Sequence, residues 1–246
     1  MKRYLLLIPL VFLGCEEMTT KYEPEPNVVA ILITNFPRQR VFVSKSFRIS
    51  EVPDTSDWCG ISGAEVKISY DTIVVMFHEL IDTPGVYVSE SLPVKPAKTY
   101  HLEVTYPDDN IVTGETTTPG TFRIIAPTDG DTVGHGQKIE WEESDRAAAY
   151  FIYYRADSLY RPEFGDYYWS EKSFEYIKPD TVVTFGTLSR GYGEITIQIW
   201  ACDSNYYNYY KGRYWWYDSE PRLLDGGLGV FGSFIYTDSI SVFTTP

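Results

Sequence analysis

Short apolar runs, each four to nine residues long, follow one another along most of this chain from residue 28 onward. Within residues 64–70 apolar and polar side chains alternate, which is the period of two that a half-buried β-strand requires. Turn-forming residues separate the runs, notably at 82–85 and 107–110. No stretch after the first fifteen residues holds a convincing period of 3.6, so the pattern predicts an all-β protein.

The first half of the pattern predicts seven strands in about 90 residues. They lie at 28–36, 40–46, 64–70, 72–78, 86–91, 100–106 and 111–118. Seven short antiparallel strands of this kind form an immunoglobulin-like β-sandwich. We therefore assign residues 28–118 to a first domain. A Thr-Thr-Thr-Pro-Gly segment at 116–120 marks its boundary, because proline removes a donor from the ladder.

A second set of strands begins after this boundary. The runs at 124–127, 138–141, 149–154 and 195–201 resemble strands A, B, C and F of a fibronectin type III sandwich, and 238–243 would be the closing strand. The resemblance rests on a proline before the first turn, Trp141 on strand B and tyrosines on strand C. It implies a second β-sandwich over residues 122–246.

The N-terminus carries an export signal. Lys2 and Arg3 precede an apolar run from residue 5 to residue 13, which is too short to span a bilayer. Gly14 and Cys15 then form a lipoprotein-type cleavage site, so residues 1–14 are a predicted signal peptide and Cys15 a predicted acylation site that holds the chain on the lipid bilayer. Residues 15–27 are an acidic tether. Acids directly after the cysteine indicate export to the outer face of the outer membrane.

Composition excludes one class of partner. The formal net charge is −13, so the phosphates of a nucleic acid would be repelled. Outside the cytoplasm Cys59 and Cys202 could form a disulfide, and two independent thiols are the alternative. Neither cysteine has the spacing of a metal ligand, and no metal or cofactor is predicted.

Aromatic residues make up 16% of the chain and concentrate in two insertions of the second domain, at 160–176 and 206–217. Flat aromatic faces with a polar edge suit protein interfaces and sugar stacking. In fibronectin order the two insertions lie at opposite ends of the domain, which would prevent one continuous platform. The alternative is that these rings form extra core. The candidate binding residues are Tyr167, Tyr168, Trp169, Tyr209, Tyr210, Tyr214, Trp215, Trp216 and Tyr217.

The other motifs in the sequence do not indicate a catalytic, cofactor-binding or metal-binding site. Residues 227–232 match the letters of a dinucleotide-binding motif, but a strand pattern follows where that motif needs a helix, so we interpret them as a turn into the last strand. Asp129 and Asp131 lack further acidic ligands for calcium and indicate a tight turn. Only three histidines are present, and no serine or cysteine has a nucleophile motif. We expect no catalytic residue and no enzyme activity.

The order of the predicted segments along the chain resembles that of an uncharacterised family of Bacteroidota outer-membrane lipoproteins, classed as a domain of unknown function. The matching segments are 63–66, 84–87, 98–102 and 229–232. The resemblance implies a cell-envelope lipoprotein with immunoglobulin-like halves and transfers no active site. We expect a non-catalytic binding or accessory subunit for another envelope protein, for which an outer-membrane transporter is one candidate. The alternative is a carbohydrate-binding lipoprotein that stacks sugars on Trp169, Trp215 and Trp216.

Overall fold

The structure is a computed structural model that describes residues 23–47, 59–134, 136–161, 168–177, 180–187, 191–214 and 223–245. These residues form sixteen β-strands and one α-helix, so the predicted all-β fold class is confirmed. The predicted signal peptide, Cys15 and most of the tether lie outside the described residues. Within the described part of the chain, no helix has the length and apolarity needed to cross a membrane.

All seven predicted strands of the first sandwich are present, within a few residues of their expected bounds. They are β1 Pro26–Ile33, β2 Gln39–Lys45, β3 Glu65–Tyr70, β4 Ile73–Glu79, β5 Val86–Ser89, β6 Thr99–Thr105 and β7 Ile111–Thr117. The order β1-β2-β5 forms one sheet and β4-β3-β6-β7 the other. The end of β4 joins the two sheets, since His78 and Glu79 pair with β5.

Alternation along these strands places one set of side chains in a shared core. Val66 and Ile68 of β3 are fully buried there, as the sequence pattern predicts. Two buried tyrosines also tie loops to the core. Tyr87 Oη donates to the carbonyl of Ile61 at 2.9 Å, and burial raises the pKa of the Tyr106 phenol, which donates to the carbonyl of Ser44 at 3.0 Å. Their hydroxyl groups satisfy buried backbone acceptors.

The second sandwich contains the strands that resemble fibronectin type III. Its elements are β8 Ile124–Ala126, β9 Thr132–Gly134, β10 Lys138–Trp141, β11 Ala149–Tyr160, β12 Tyr168–Ile177, β13 Val182–Thr184, a 3-10 helix Phe185–Thr187, β14 Gly193–Cys202, β15 Leu228–Tyr236 and β16 Ile240–Thr245. The sheet β13-β10-β8 packs on the sheet containing β12, β11, β14 and β16. The predicted strands A, B, C, F and closing strand correspond to β8, β10, β11, β14 and β16.

Strand β15 belongs to both sandwiches. It runs parallel to β1, from the Asn27–Leu228 pair to the Ile33–Phe234 pair, and its end pairs antiparallel with β14. The expected turn at 227–232 is therefore wrong, because residues 228–232 form the start of β15. Gly229 explains the glycine-rich sequence: its φ is +105°, and a Cβ there would lie 1.9 Å from the carbonyl oxygen of Val28. A side chain cannot fit between β1 and β15 at this position.

The predicted domain limits, 28–118 and 122–246, need one correction. Leu224 and Phe231 are buried in the core of the first sandwich, although they come from the second half of the sequence. Asp225 also pairs with Thr113 of β7 through two backbone hydrogen bonds of 2.9 Å. The first sandwich is thus completed by a segment more than 100 residues later in the chain, which strand patterns alone do not reveal.

The described part of the second aromatic insertion, residues 206–214, lies in α1, Ser204–Tyr214, where the sequence predicted no helix. Polar residues and tyrosines occupy all faces of this helix, and no apolar stripe runs along it. The sequence therefore shows only a weak hydrophobic period of 3.6 residues. Its start is fixed by Asp203, whose Oδ1 accepts a hydrogen bond from the Tyr206 amide at 2.9 Å. Contacts with the sheet supply the stability that the local sequence does not.

Candidate binding site

In the first six residues of β11, 149–154, both faces are apolar, which is unusual for a strand at the surface of a sandwich. Tyr150, Ile152 and Tyr154 point into the second core. The alternate residues point away from that core, and Phe151 is nonetheless buried. A strand with two apolar faces has a cover on its second face. That cover consists of neighbouring aromatic side chains and helix α1.

We call this covered face the aromatic layer, which consists of Phe151, Phe174, Trp200, Tyr206, Tyr210, Phe234 and Tyr236. At its centre Phe151 stacks on Phe174, with a centroid distance of 5.0 Å and an interplanar angle of 7°. Phe234 contacts Phe151 edge to face at 5.6 Å, and Trp200 contacts Phe174 in the same way at 5.5 Å. These are favourable offset and edge-to-face geometries for aromatic pairs. The layer therefore holds its rings in defined orientations.

Helix α1 covers one side of the aromatic layer. Tyr206 lies 4.4 Å from Phe234 and Tyr210 lies 5.3 Å from Phe151, measured between ring centroids. The helix can approach β15 this closely because Gly232 lacks a side chain, and a Cβ there would lie 3.0 Å from the Cβ of Tyr206. Tyr206 and Tyr210 of α1 are thus half-buried and pack as extra core, which was one of the two interpretations of this insertion.

The other side of the aromatic layer reaches solvent. Phe174 is 45% exposed although its ring stacks on a buried partner. Trp200 and Tyr236 are half-buried and lie 4.8 Å apart, and Trp200 Nε1 donates to the side chain of Gln198 at 2.9 Å. Phe174, Trp200 and Tyr236 therefore form the open part of the layer, whose aromatic faces are already ordered before a ligand binds.

A second group of tyrosines lies at the far end of the β11–β12 hairpin. Tyr160 contacts both Tyr168 and Tyr192 at 6.0 Å, and Tyr168 is 60% exposed. Tyr160 lies nine positions after Phe151 along β11, which is about 30 Å in a strand. The two insertions were expected to lie at opposite ends of the domain. This expectation holds for the hairpin end of the first insertion. It fails for Phe174 of the same insertion, which lies in the aromatic layer together with the tyrosines of α1.

The structure places some of the predicted binding residues and leaves others outside its description. Tyr168 is exposed at the hairpin end, and Tyr210 packs in the aromatic layer. Tyr209 is half-buried on α1. For Trp169 and Tyr214 only the backbone is described, in β12 and α1. The remaining predicted residues, Tyr167, Trp215, Trp216 and Tyr217, lie outside the described residues.

Sequence reasoning missed Phe151, Trp200, Phe234 and Tyr236, which lie outside the two insertions. A signal for them exists in the sequence. Residues 149–154 are apolar or aromatic at six consecutive positions, so the strand has no polar face. Such a run predicts a strand covered on both sides, and the covering residues then have to be sought among the unassigned aromatics.

The two aspartates considered as calcium ligands, Asp129 and Asp131, form hydrogen bonds within the local structure. Asp129 Oδ1 accepts from the Ser241 amide at 2.7 Å, and Asp131 accepts from the Thr128 amide at 2.8 Å, so both acids stabilise a turn. In the described ranges, no group of three or more His, Cys, Asp or Glu side chains could hold a metal ion. A groove of about 400 Å³ on the first sandwich contains the Lys67–Glu103 ion pair at 2.7 Å.

Of the two alternatives for Cys59 and Cys202, a disulfide or two independent thiols, the described part of the chain shows two thiols and no disulfide between them. The reason is their location. Cys59 precedes Gly60, which bridges β2 in the first sandwich, whereas Cys202 ends β14 and is fully buried beside the aromatic layer. Burial raises the pKa of Cys202, so its thiol stays protonated and unreactive.

The fold defines an all-β protein made of two β-sandwiches that share one strand. The chain belongs to the family described as a domain of unknown function, DUF4249, whose model matches residues 16–238. Comparison with curated proteins finds no match.

Two solved structures with fibronectin type III domains are similar to the chain. The FN1–FN3 domains of chicken CNTN1 are 12% identical, with a TM-score of 0.36, and the match covers 91% of this chain and 67% of that one. The fibronectin(III)-like modules of CbhA from Clostridium thermocellum are 11% identical, with a TM-score of 0.22, and the match covers 87% and 94%.

Proposed function

We propose that this protein is a lipid-anchored, non-catalytic binding subunit of the bacterial cell envelope that docks to another envelope protein through the open part of the aromatic layer. The observation that carries the proposal is the half-exposed ring of Phe174 on an ordered, buried aromatic base. Binding hot spots are enriched in aromatic residues that lie next to well-packed neighbours. Because the rings are held in place beforehand, a partner would lose little conformational freedom on binding.

The charge near this surface also suits a protein partner. Lys172 lies over the ring of Tyr153 at 5.7 Å, next to the open part of the layer. A basic group at the rim of an aromatic patch can attract an acidic region of a partner without having to be buried. The proposed interface therefore has an aromatic centre and a charged rim, which is the usual arrangement of transient interfaces.

The proposed location comes from the sequence. Acylation of Cys15 would hold the N-terminus at the outer membrane, and the acidic residues that follow favour its outer face. From Cys15 to the start of β1, the tether could reach about 40 Å at 3.3 Å per residue. We also propose, from the sequence resemblance, that the chain is a Bacteroidota lipoprotein. The intact mass of the mature protein tests the acylation of Cys15, since acylation adds the mass of two or three acyl chains.

Cross-linking on whole cells tests the docking function. We expect one envelope protein to dominate the material that is captured with the tagged wild-type chain. Replacing Phe174 by alanine should remove that protein from the captured set, because the exposed ring at the centre of the proposed interface is lost. Phe243→Ala is the matched control, since Phe243 is equally exposed, at 47%, but lies on β16 outside the layer. Equal capture by both variants would contradict the proposal.

Carbohydrate binding is the second candidate, and the hairpin end favours it. Tyr168 and Tyr160 present exposed rings there, which could stack on the faces of sugar rings. A glycan array tests this function. It gains support if one polysaccharide gives a signal that Tyr168→Ala abolishes and Phe174→Ala retains. No signal across the array would reject it.

A further inference from the structure

The tether and the proposed docking surface lie at opposite ends of one pair of strands. The tether enters β1 at Pro26, and β1 pairs in parallel with β15 at seven successive positions, 27–33 with 228–234. At its far end β15 reaches Tyr236, in the open part of the aromatic layer. From residue 228 to Tyr236 the strand spans about 26 Å. A load applied between the tether and the docking surface therefore passes through this pair of strands.

The parallel direction of β1 and β15 determines how such a load acts on them. The tether pulls β1 toward its N-terminal end, whereas the docking surface pulls β15 toward its C-terminal end. In parallel strands these two forces point in opposite directions along the ladder, so the ladder is loaded in shear. Its hydrogen bonds are evenly spaced, and in shear they share the load, because none of them lengthens without its neighbours. Opened from one end, the same ladder would lose its bonds one after another.

Side chains cover the β1–β15 ladder on both faces. Val28 and Leu32 of β1 are fully buried in the core of the first sandwich. Ile31 and Ile33 point to the opposite face and pack against the buried cluster around Phe151. Hydrogen bonds in such surroundings are electrostatically stronger than in water, and water does not readily replace them as they lengthen. The middle of the ladder is therefore protected while it is under load.

The N-terminal end of β1 is also held by β2. The Ser46 amide donates to the carbonyl of Glu25 at 2.9 Å, and the Glu25 amide donates to the Ser46 hydroxyl at 2.9 Å. Asn27 Nδ2 donates to Ser44 Oγ at 2.9 Å, and five residue pairs join β1 to β2. Thus β1 leaves β15 only by breaking this second ladder or by taking along the first sandwich, whose core contains Phe231 of β15. Either route adds to the resistance.

We propose that the seven pairs of β1 and β15 form a shear clamp, which transmits force between the lipid anchor and a docked partner without unfolding of the chain. This inference rests on the proposed function for the two points where the load is applied, acylated Cys15 and the open part of the aromatic layer. The clamp itself depends only on the two strands. It gives a reason for one strand to belong to both sandwiches, since the load then reaches the docking surface without crossing a linker between domains.

Single-molecule force spectroscopy on the unacylated chain that begins at Cys15 tests the clamp. One handle is attached to the thiol of Cys15 and the other to a cysteine introduced by Asp238→Cys, at an exposed position just after β15. Cys59→Ser removes a partly exposed thiol, and Cys202 is fully buried. These handles load β1 and β15 in shear, so we expect the chain to unfold only at a high force.

The matched control moves only the second handle. Asp225→Cys places it before β15, at the end of the ladder where the tether enters β1, and Asp225 is also exposed. Force from this position first meets the two hydrogen bonds between Asp225 and Thr113 and then opens the ladder from one end. We expect a rupture force several-fold lower than with Asp238→Cys. Urea unfolding should nevertheless give both chains the same stability, because forced unfolding reports the unfolding rate and not the equilibrium.

The rupture forces are measured without a membrane or a partner, so they are independent of the proposed function. A failure of acylation would appear in the intact mass of the mature protein, and a failure of docking in the cross-linking experiment. A several-fold higher force with the handle at residue 238 than at residue 225 supports the shear clamp. Equal forces at the two handle positions, or a lower force at residue 238, would overturn it.

Discussion

The hydroxyl of Thr116 on β7 donates a hydrogen bond to the carboxylate of Asp203, which lies between β14 and α1. The two residues are buried and 87 positions apart, so this bond connects the first sandwich to the second. Ser233 of β15 lies beside them, with its Oγ 3.0 Å from that of Thr116. One acidic side chain thus caps the helix and holds the junction of the two sandwiches.

Replacing Asp203 by alanine should lower the free energy of unfolding by about 1–3 kcal/mol, because the Thr116 hydroxyl and the Tyr206 amide lose their buried acceptor. Ser204→Ala is the control, since Ser204 is exposed at the start of the same helix. Urea unfolding followed by circular dichroism measures both variants. Equal stability of the two would mean that Asp203 does not hold the junction.

Asp203 should also make stability depend on pH. Burial raises the pKa of Asp203, although hydrogen bonds from Thr116, Tyr206 and Ser233 act in the opposite direction. Because the folded pKa lies above the unfolded value of about 3.9, the folded protein binds this proton more tightly. Its contribution to stability is complete below the unfolded pKa and is lost as the pH rises through the folded pKa.

The Asp203→Asn variant isolates this effect because asparagine does not ionise. The free energy of unfolding of the wild-type protein should fall relative to that of the variant as the pH rises from about 4, near the unfolded pKa, to neutral. Urea titrations of both proteins at several pH values measure the difference. Parallel curves would show that Asp203 has no altered proton affinity.

Gly229 should be irreplaceable in β15. Gly229→Ala should cost at least about 2 kcal/mol, since positive φ strains an L-residue by about 1–2 kcal/mol and the new Cβ would overlap the carbonyl oxygen of Val28. Gly130→Ala is the matched control: Gly130 has a φ of +84°, but nothing lies within 4 Å of a Cβ there. The Gly130→Ala variant has the backbone strain of a positive φ without a steric clash. The difference in thermal unfolding between the two variants therefore separates the effect of the clash from that of the strain.

The first sandwich should not fold without β15. A fragment of residues 23–121 lacks Leu224 and Phe231 of its core, and β1 loses its pairing along seven residues. We expect this fragment to be unfolded or to aggregate, as judged by circular dichroism and limited proteolysis. A stable, cooperatively unfolding fragment would show that the two sandwiches are independent domains.

Strand positions were predictable from this sequence because they depend on local alternation. All seven strands of the first sandwich and the A, B, C, F and closing strands of the second lie where the pattern of apolar residues places them. Alternation reports which side chains share a face, and it fixes strands without knowledge of their partners. The all-β fold class follows from that information alone.

Pairing over long sequence distances was not predictable. The parallel pairing of β15 with β1 joins residues about 200 positions apart, and the glycines that permit it also suggest a turn. Helix α1 was missed because its tyrosines gain stability from packing on Phe151 and Phe234, not from an amphipathic pattern. The candidate site depends on both contacts, so only part of it was visible in the sequence.

Phe151 and Phe174 stack on each other but should have different roles. Phe151 is buried and contacts four other members of the aromatic layer, so Phe151→Ala should destabilise the protein by about 3–5 kcal/mol. Phe174 is half exposed, and Phe174→Ala should cost clearly less stability while removing the captured envelope protein. Thermal unfolding together with whole-cell cross-linking separates the two roles. If Phe174→Ala unfolds the protein as readily as Phe151→Ala, the ring serves packing, and the surface proposed for docking has to be sought elsewhere on the molecule.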